Sequence, residues 1–207
     1  MSLLTGFTAG LLLITLSELG DKTFFIAAIL AMRHPRRWVF VGASIALFAM
    51  TVLSVLIGQM VTIFPQQYVK SAAVALFFGF GFKLLYDAAN MSSSQRLGHE
   101  QADAQAAVEQ KEKGVIFWSA RAVVIEAFAL TFVGEWGDRT QLATVTLAAA
   151  NNPFGVIAGA TLGHAICVAI AVICGKLLVG RISERLLVSL GGFLFIIFGI
   201  VGLAEMA

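Results

Sequence analysis

Charge is scarce in this chain. Charged residues occupy 13% of its 207 positions, where a soluble domain carries about 25%. Hydrophobic residues fill 59% of it, and mean hydropathy is +0.90. That balance belongs to an integral membrane protein. Basic residues are few as well, and the net charge of +2 is weak grounds for an anionic partner. No patch interleaves basic and aromatic residues, so nothing points to nucleic acid. Cysteine occurs only at Cys167 and Cys174, seven positions apart in an apolar stretch. That is about two helical turns, which puts both on one face as small buried side chains. A regular helix holds them too far apart for a disulfide. Without further Cys or His at ligand spacing they make no soft-metal site. The start, MSLLTGFTAGLLLITL, lacks a basic leader and a clear cleavage site. It reads as a retained first span rather than a removed signal peptide.

What the chain has in quantity is long apolar runs. A span needs about 20 apolar residues, and six stretches qualify: 4–32, 38–60, 69–89, 118–150, 154–179 and 186–206. Asn90 to Gly114 is too polar to insert; its part from Glu100 to Lys113 is as compatible with a surface helix as with disorder. With the termini on one side, that side and its connections hold only Lys70. The other side holds Arg33, Arg36, Arg37, Lys83, Arg96 and Lys111. It also holds Lys113, Arg121, Lys176, Arg181 and Arg185. Positive residues concentrate in the cytoplasm, so both termini are expected outside and the polar loop, 90–117, inside.

The first span carries an unexpected burden, SELGDKT, with Glu18, Asp21 and Lys22 inside it. The same pattern returns 117 residues later as EWGDRT, with Glu135, Asp138 and Arg139. The same offset also superposes Gly42 on Gly159, Ala43 on Ala160 and Ser44 on Thr161. Each half, 1–89 and 118–207, then holds three spans. Three is odd, so a second unit that follows a non-crossing linker enters upside down. The expected architecture is all-α, six transmembrane helices arranged as two inverted three-helix repeats. Secondary transporters built this way place their sites near the midplane, between the repeats. Asp21 lies about a dozen residues from Arg33, or about 18 Å along a helix. Asp138 lies similarly far from Asn151, so both motifs fall near the middle of a ~30 Å apolar layer.

On a continuous helix Glu18, Asp21 and Lys22 share a face, as do Glu135, Asp138 and Arg139. Such a face turns to the bundle interior or a wet cavity, not to lipid. Gly20 and Gly137 either make room for a neighbouring helix or break the helix and free carbonyls. Thr23 and Thr140 add hydroxyls, and Gln141 adds an amide where the first half has Phe24. Four carboxylates against Lys22 and Arg139 leave the paired motifs at net −2, a charge that one divalent cation or two protons neutralises. Metal and protons then compete for one site, which can exchange them by alternating access. Oxygen ligands suit Mg²⁺, Ca²⁺ or Mn²⁺ rather than Cu⁺ or Zn²⁺. The bland alternative is a pair of inert buried ion pairs. Two copies at matched depth, each with a surplus carboxylate, argue against it. Lys22 and Arg139 read as charge balancers. His164, opposite Leu47 in the repeat, is a proton carrier, an extra ligand or a packing histidine. Glu126 lines an inner entrance or faces outward. Ser44 and Thr161 support the site or simply pack.

These residues resemble a known family. Two E-x-G-D-[KR]-[ST] motifs in a six-span chain of this length are similar to the Golgi manganese/calcium transporters and their bacterial manganese exporters. The resemblance covers the chain apart from the long loop. It implies transport of Mn²⁺, in some members also Ca²⁺, in exchange for protons, with the acidic motif residues holding the cation. Matched by position, the implied ligands are Glu18, Asp21, Thr23, Glu135, Asp138, Thr140 and Gln141. The metal is then cargo, and no resident cofactor is expected. The absence of a long targeting extension suits the plasma membrane of a bacterium, with export of excess Mn²⁺ as the task. Three rivals remain at this point. An intramembrane aspartyl protease would need Asp21 and Asp138 as a dyad sharing one proton. An exporter of amino acids or other organic solutes would want an apolar lining and fewer charges. A channel fits poorly with so much intramembrane charge.

Overall fold

The computed structural model describes residues 3–90, 97–112, 119–178, 184–204 and 206. Of the basic residues used above for topology, Arg96, Lys113 and Arg181 lie outside the described residues. The described residues form nine helices and no strand: α1 (Leu3–Glu18), α2 (Lys22–Arg33), α3 (Arg36–Val61), α4 (Gln66–Asn90), α5 (Leu97–Glu112), α6 (Ala120–Gly134), α7 (Arg139–Ala150), α8 (Pro153–Leu178) and α9 (Glu184–Ala204).

Helix boundaries follow local chemistry. Pro35 precedes α3, Pro65 precedes α4 and Pro153 opens α8, positions where a missing N–H costs nothing. Ser119 caps α6, its hydroxyl accepting from the Ala122 N–H at 3.2 Å. Inside the two motifs the chain leaves the helix altogether. Gly20 and Gly137 adopt φ of 82° and 81°, a left-handed conformation that suits glycine. The expected single helix over 4–32 is therefore two, α1 and α2, bent by 66°. The stretch 118–150 is likewise α6 and α7. The motif acids thus do not share one regular helical face: Glu18 ends α1, while Asp21 is the N-cap of α2.

By length and apolar composition α3, α4 and α8 can each cross a membrane, and the bent pair α1–α2 makes a fourth candidate. Within α9, Val188–Ala204 counts as a shorter apolar helix. Large apolar side chains such as Leu12, Ile45, Phe48, Leu56, Phe82 and Ile173 stand exposed, as a lipid-facing surface requires.

The 117-residue repeat of the sequence is also a repeat of elements. Helices α2 and α7 have 12 residues each, and α3 and α8 have 26 each, all at that offset. Packing follows suit: α1 lies along α8, and α6 along α3. Both contacts are close because glycine is there. A Cβ on Gly159 would strike the Phe7 carbonyl, and one on Gly42 would strike the Val124 carbonyl. Phe7 and Val124 are themselves counterparts in the repeat. Gly155 and Gly163 extend the contact against the backbone of Leu3 and Leu11, a small-residue ridge of the kind that lets membrane helices approach. Helix α4 packs on α9, with Phe77 and Phe195 rings 6.0 Å apart.

The described part of the polar linker is a helix. Helix α5 lies against α2, where Ala104 and Val108 are fully buried. Arg33 Nη2 meets Glu109 Oε1 at 3.7 Å.

Candidate functional site

The two helix breaks bring their acids together. Glu18 and Glu135, each closing the helix that leads into a break, are 2% exposed. Asp21 and Asp138 occupy the N-caps of α2 and α7, where the helix dipole favours a carboxylate. Among the described residues, Glu18, Asp21 and Glu135 each present an oxygen within 4.8 Å of the others. Asp138 is not part of that group. Its Oδ2 instead accepts from the Thr140 hydroxyl at 3.1 Å and the Thr140 N–H at 3.5 Å.

Two contacts repeat across the halves. Thr23 Oγ1 donates to Glu18 Oε2 at 3.2 Å, and Thr140 Oγ1 lies 3.3 Å from Glu135 Oε2. Each glutamate is thereby oriented by the threonine five positions on. In both, Oε1 is buried without a hydrogen-bond partner. A buried carboxylate oxygen left unpaired is costly, and two of the three clustered carboxylates carry one, which a cation would satisfy.

Other contacts break the symmetry. Arg139 Nη2 pairs with Asp21 Oδ1 at 3.0 Å, joining the second motif to the first. Lys22, its counterpart, is half-buried and forms no ion pair among the described residues. Gln141 Oε1 accepts from the Gly137 N–H at 2.8 Å, strapping the turn, while its Nε2 contacts Met50 Sδ at 3.3 Å. The charge count survives the rearrangement. Three clustered carboxylates with Arg139 again sum to −2.

A small cleft beside Glu135 is lined by Met50, Thr51, Ser54, Thr144 and His164, together with Thr140 and Gln141. His164 is buried, with Nδ1 unpartnered. Sequence reasoning singles out His164 but misses Thr51, Ser54 and Thr144. A faint signal is present: Thr51 and Ser54 are three apart, Thr140 and Thr144 four apart, each pair on one helical face in an apolar setting.

The remaining candidates fall outside the cleft. Glu126 is buried on α6, nine positions before Glu135, so the outward-facing reading does not hold. Ser44 and Thr161 are half-buried, their hydroxyls shielded and without partners among the described residues. Cys167 is free and buried, its Sγ donating to the Thr15 carbonyl at 3.3 Å; Cys174 is free too.

Comparison with known proteins adds a family. The family model described as "Divalent cation/proton antiporter GDT1" matches residues 6–92 and 123–207, which are the two halves without the linker. A GDT1-like protein of Synechocystis sp. is 58% identical over 200 residues, covering 96% of this chain and 97% of its own. GDT1-like protein 5 of Arabidopsis thaliana is 41% identical over 220 residues, covering 98% and 96%. GDT1-like protein 3 of Oryza sativa subsp. indica is 41% identical over 198 residues, covering 93% of this chain and 71% of its own. No solved structure matches the chain.

Proposed function

The chain belongs to the GDT1 family of divalent cation/proton antiporters, and from this premise we propose that it exports Mn²⁺ from the cytoplasm in exchange for protons, with Ca²⁺ as the second candidate cargo. The family is one of transporters, so the chain is not an enzyme. The observation that carries the reading is the group of Glu18, Asp21 and Glu135 oxygens within 4.8 Å, two of the three residues holding an unpartnered buried oxygen. Hard carboxylate oxygens suit Mn²⁺ and Ca²⁺.

In this mechanism Glu18, Asp21 and Glu135 hold the cation, and Thr23 and Thr140 orient the two glutamates. Asp138 and Gln141 hold the second turn in shape from its two sides. Arg139 sets the charge at −2, so the site is neutral with one M²⁺ or two protons, and neutral forms cross the low-dielectric interior at least cost. Alternation of access between the two forms gives antiport. His164 stands beside Glu135 as the candidate for receiving a proton when the cation leaves.

The topology that fits is six spans in two inverted halves, 1–89 and 118–207, across a bacterial plasma membrane. Both termini lie outside, and the 90–117 linker lies in the cytoplasm. The distribution of basic residues supports this orientation, and the matched lengths and packing of the repeat elements support the two-fold arrangement. An aspartyl dyad has no support in the geometry, since Asp21 engages Arg139 and Asp138 is held by Thr140.

The test is transport by purified protein in liposomes, comparing Mn²⁺ with Ca²⁺ and recording internal pH. Cation movement with a pH change of opposite sense is expected, and Glu18→Gln is expected to abolish both. Cation movement without any pH response defeats the exchange mechanism. Normal transport by Glu18→Gln defeats the site.

A further inference from the structure

The two halves of the repeat differ most sharply where they flank the carboxylates. On one side the cleft beside Glu135 is lined by Thr51, Ser54, Gln141, Thr144 and His164. At the same 117-residue offset their counterparts are Val168, Ala171, Phe24, Ala27 and Leu47. All five counterparts are buried in one apolar cluster around α2, the cluster that also takes in Ala104 and Val108 of α5. Apart from Met50, the surroundings of Glu135 are thus rich in oxygen and nitrogen, and the repeat-related positions are hydrocarbon.

The polar side is also biased in the sign of its hydrogen bonding. Thr51 Oγ1 donates to the Leu47 carbonyl, Ser54 Oγ to the Met50 carbonyl and Thr144 Oγ1 to the Thr140 carbonyl, each at 2.8 Å. A hydroxyl has one proton, and each of these gives it back to its own helix. What remains toward the cleft is acceptor lone pairs. Glu135 Oε1 adds an unpartnered acceptor, and His164 Nδ1 is unpartnered as well. The free volume is about 10 Å³, room for about one water-sized occupant. A small space in which acceptors outnumber the amide donor of Gln141 takes a cation, or a water that donates to them, more readily than an anion.

Further along the same helices lies a larger polar basin of about 490 Å³, lined by Gln59, Thr62, Gln66, Lys70, Asn151 and Asn152, with the last turn of α7. Between basin and cleft α3 touches α7. Gly58 lies against the Val145 carbonyl and Ala148, and Gln59 Nε2 donates to the Ala148 carbonyl at 2.7 Å.

We infer that Thr51, Ser54 and Thr144, with Glu135 and His164, form a cation waypoint on the Lys70 side, where a divalent ion that Glu135 hands on from the Glu18–Asp21–Glu135 group regains water on its way out. The inference rests on the transport reading above and adds to it a second set of cation-contacting groups outside the acidic motifs. Among the described residues the opposite side offers no such waypoint; Phe24, Leu47, Val168 and Ala171 seal it until the helices move.

A waypoint speeds arrival and departure alike, whereas a ligand of the final site sets equilibrium affinity. Stopped-flow Mn²⁺ binding to purified full-length protein separates the two. The double variant Ser54→Ala with Thr144→Val is expected to slow association and dissociation each by about tenfold. Its equilibrium Kd should stay within about twofold of wild type and its melting temperature should be unchanged. Ser54→Thr with Thr144→Ser keeps both hydroxyls and is expected to restore the rates. A weakened Kd with unchanged association, or unchanged rates altogether, overturns the waypoint. Asp21→Asn controls for the parent reading. If wild type binds Mn²⁺ and Asp21→Asn binds equally well, the carboxylate site is wrong. If wild type binds neither Mn²⁺ nor Ca²⁺, both readings fall.

Discussion

Arg139 Nη2 sits 3.0 Å from Asp21 Oδ1, so the cation of the second motif answers the acid of the first across 118 positions of chain. Both side chains are partly shielded, 27% and 11% exposed. Breaking a buried pair from one side costs about 3–5 kcal/mol, and exposed pairs count for less than about 1 kcal/mol. The expected loss for Arg139→Gln lies between, about 1–2 kcal/mol. It should appear as a lowered melting temperature in detergent without divalent ions. Asp21→Asn combined with Arg139→Gln should recover most of it, because no lone charge is left behind. A double variant as unstable as the single one counts against the pairing.

The two threonines make a matched prediction. Thr23 bonds the glutamate five positions earlier, and the single Thr140 hydroxyl proton is shared between Glu135 and Asp138. A hydrogen bond to a charged group contributes about 1.5–3 kcal/mol. Thr23→Val and Thr140→Val should each weaken Mn²⁺ binding roughly tenfold or more, while the Ser variants stay near wild type. Titration of the purified variants with Mn²⁺ measures this directly. A large loss at one position and none at the other would show that the halves do not contribute alike.

Gly137 is at φ 81°, and a Cβ there would meet nothing within 4 Å. Any cost of substitution is therefore backbone strain alone. A left-handed conformation costs an ordinary residue about 1–2 kcal/mol and asparagine less. Stability should rank Gly137, then Asn, then Ala, then Val, as read from thermal melting. Equal melting of the Asn and Val variants would contradict a left-handed turn.

Helix contact gives a fourth test. Gly42 and Gly159 face backbone carbonyls of α6 and α1, while Gly79 has open space. Gly42→Ala and Gly159→Ala should each cost about 1–3 kcal/mol from overpacking. Gly79→Ala should cost nothing and gain slightly from helix propensity. Comparable losses at all three positions would remove the packing argument.

The proposed exchange has metal and protons competing for the same carboxylates, which sets the sign of the pH effect. Protonation lowers the number of ionised ligands, and apparent Mn²⁺ affinity should fall as pH falls. With the site at net −2, about two protons are displaced per ion, and log affinity against pH should approach a slope of about two on the acid side. Calorimetry in buffers of different ionisation enthalpy counts the protons released. A pH-independent affinity excludes the shared site.

Much of the molecule is legible in its residues. The doubled acidic motif and its offset need no coordinates, because glutamate and aspartate in an apolar run stand out by their solvation cost alone. The repeat extends to element lengths, with α2 matching α7 and α3 matching α8. Gly20 and Gly137 stand out in the motifs too, but the residues alone leave room-making and helix-breaking equally open. Sequence does not carry φ, and a glycine serves either purpose. The three hydroxyl residues around His164 are hard to single out, because a threonine in an apolar helix is commonplace. Only a neighbouring helix decides which of them line a site.

By itself, the sequence determined an apolar, helical membrane chain in which one acidic motif occurs twice, 117 positions apart, because composition, spacing and period are one-dimensional properties. Tertiary structure decided which acids meet. It grouped Glu18, Asp21 and Glu135, drew Arg139 to Asp21 and left Asp138 as a cap. It also gathered polar Thr51, Ser54 and Thr144 in the cleft beside Glu135 and buried their apolar counterparts in the cluster around α2. Those choices depend on how the broken helices cross, and side chains 117 positions apart find each other only through that crossing.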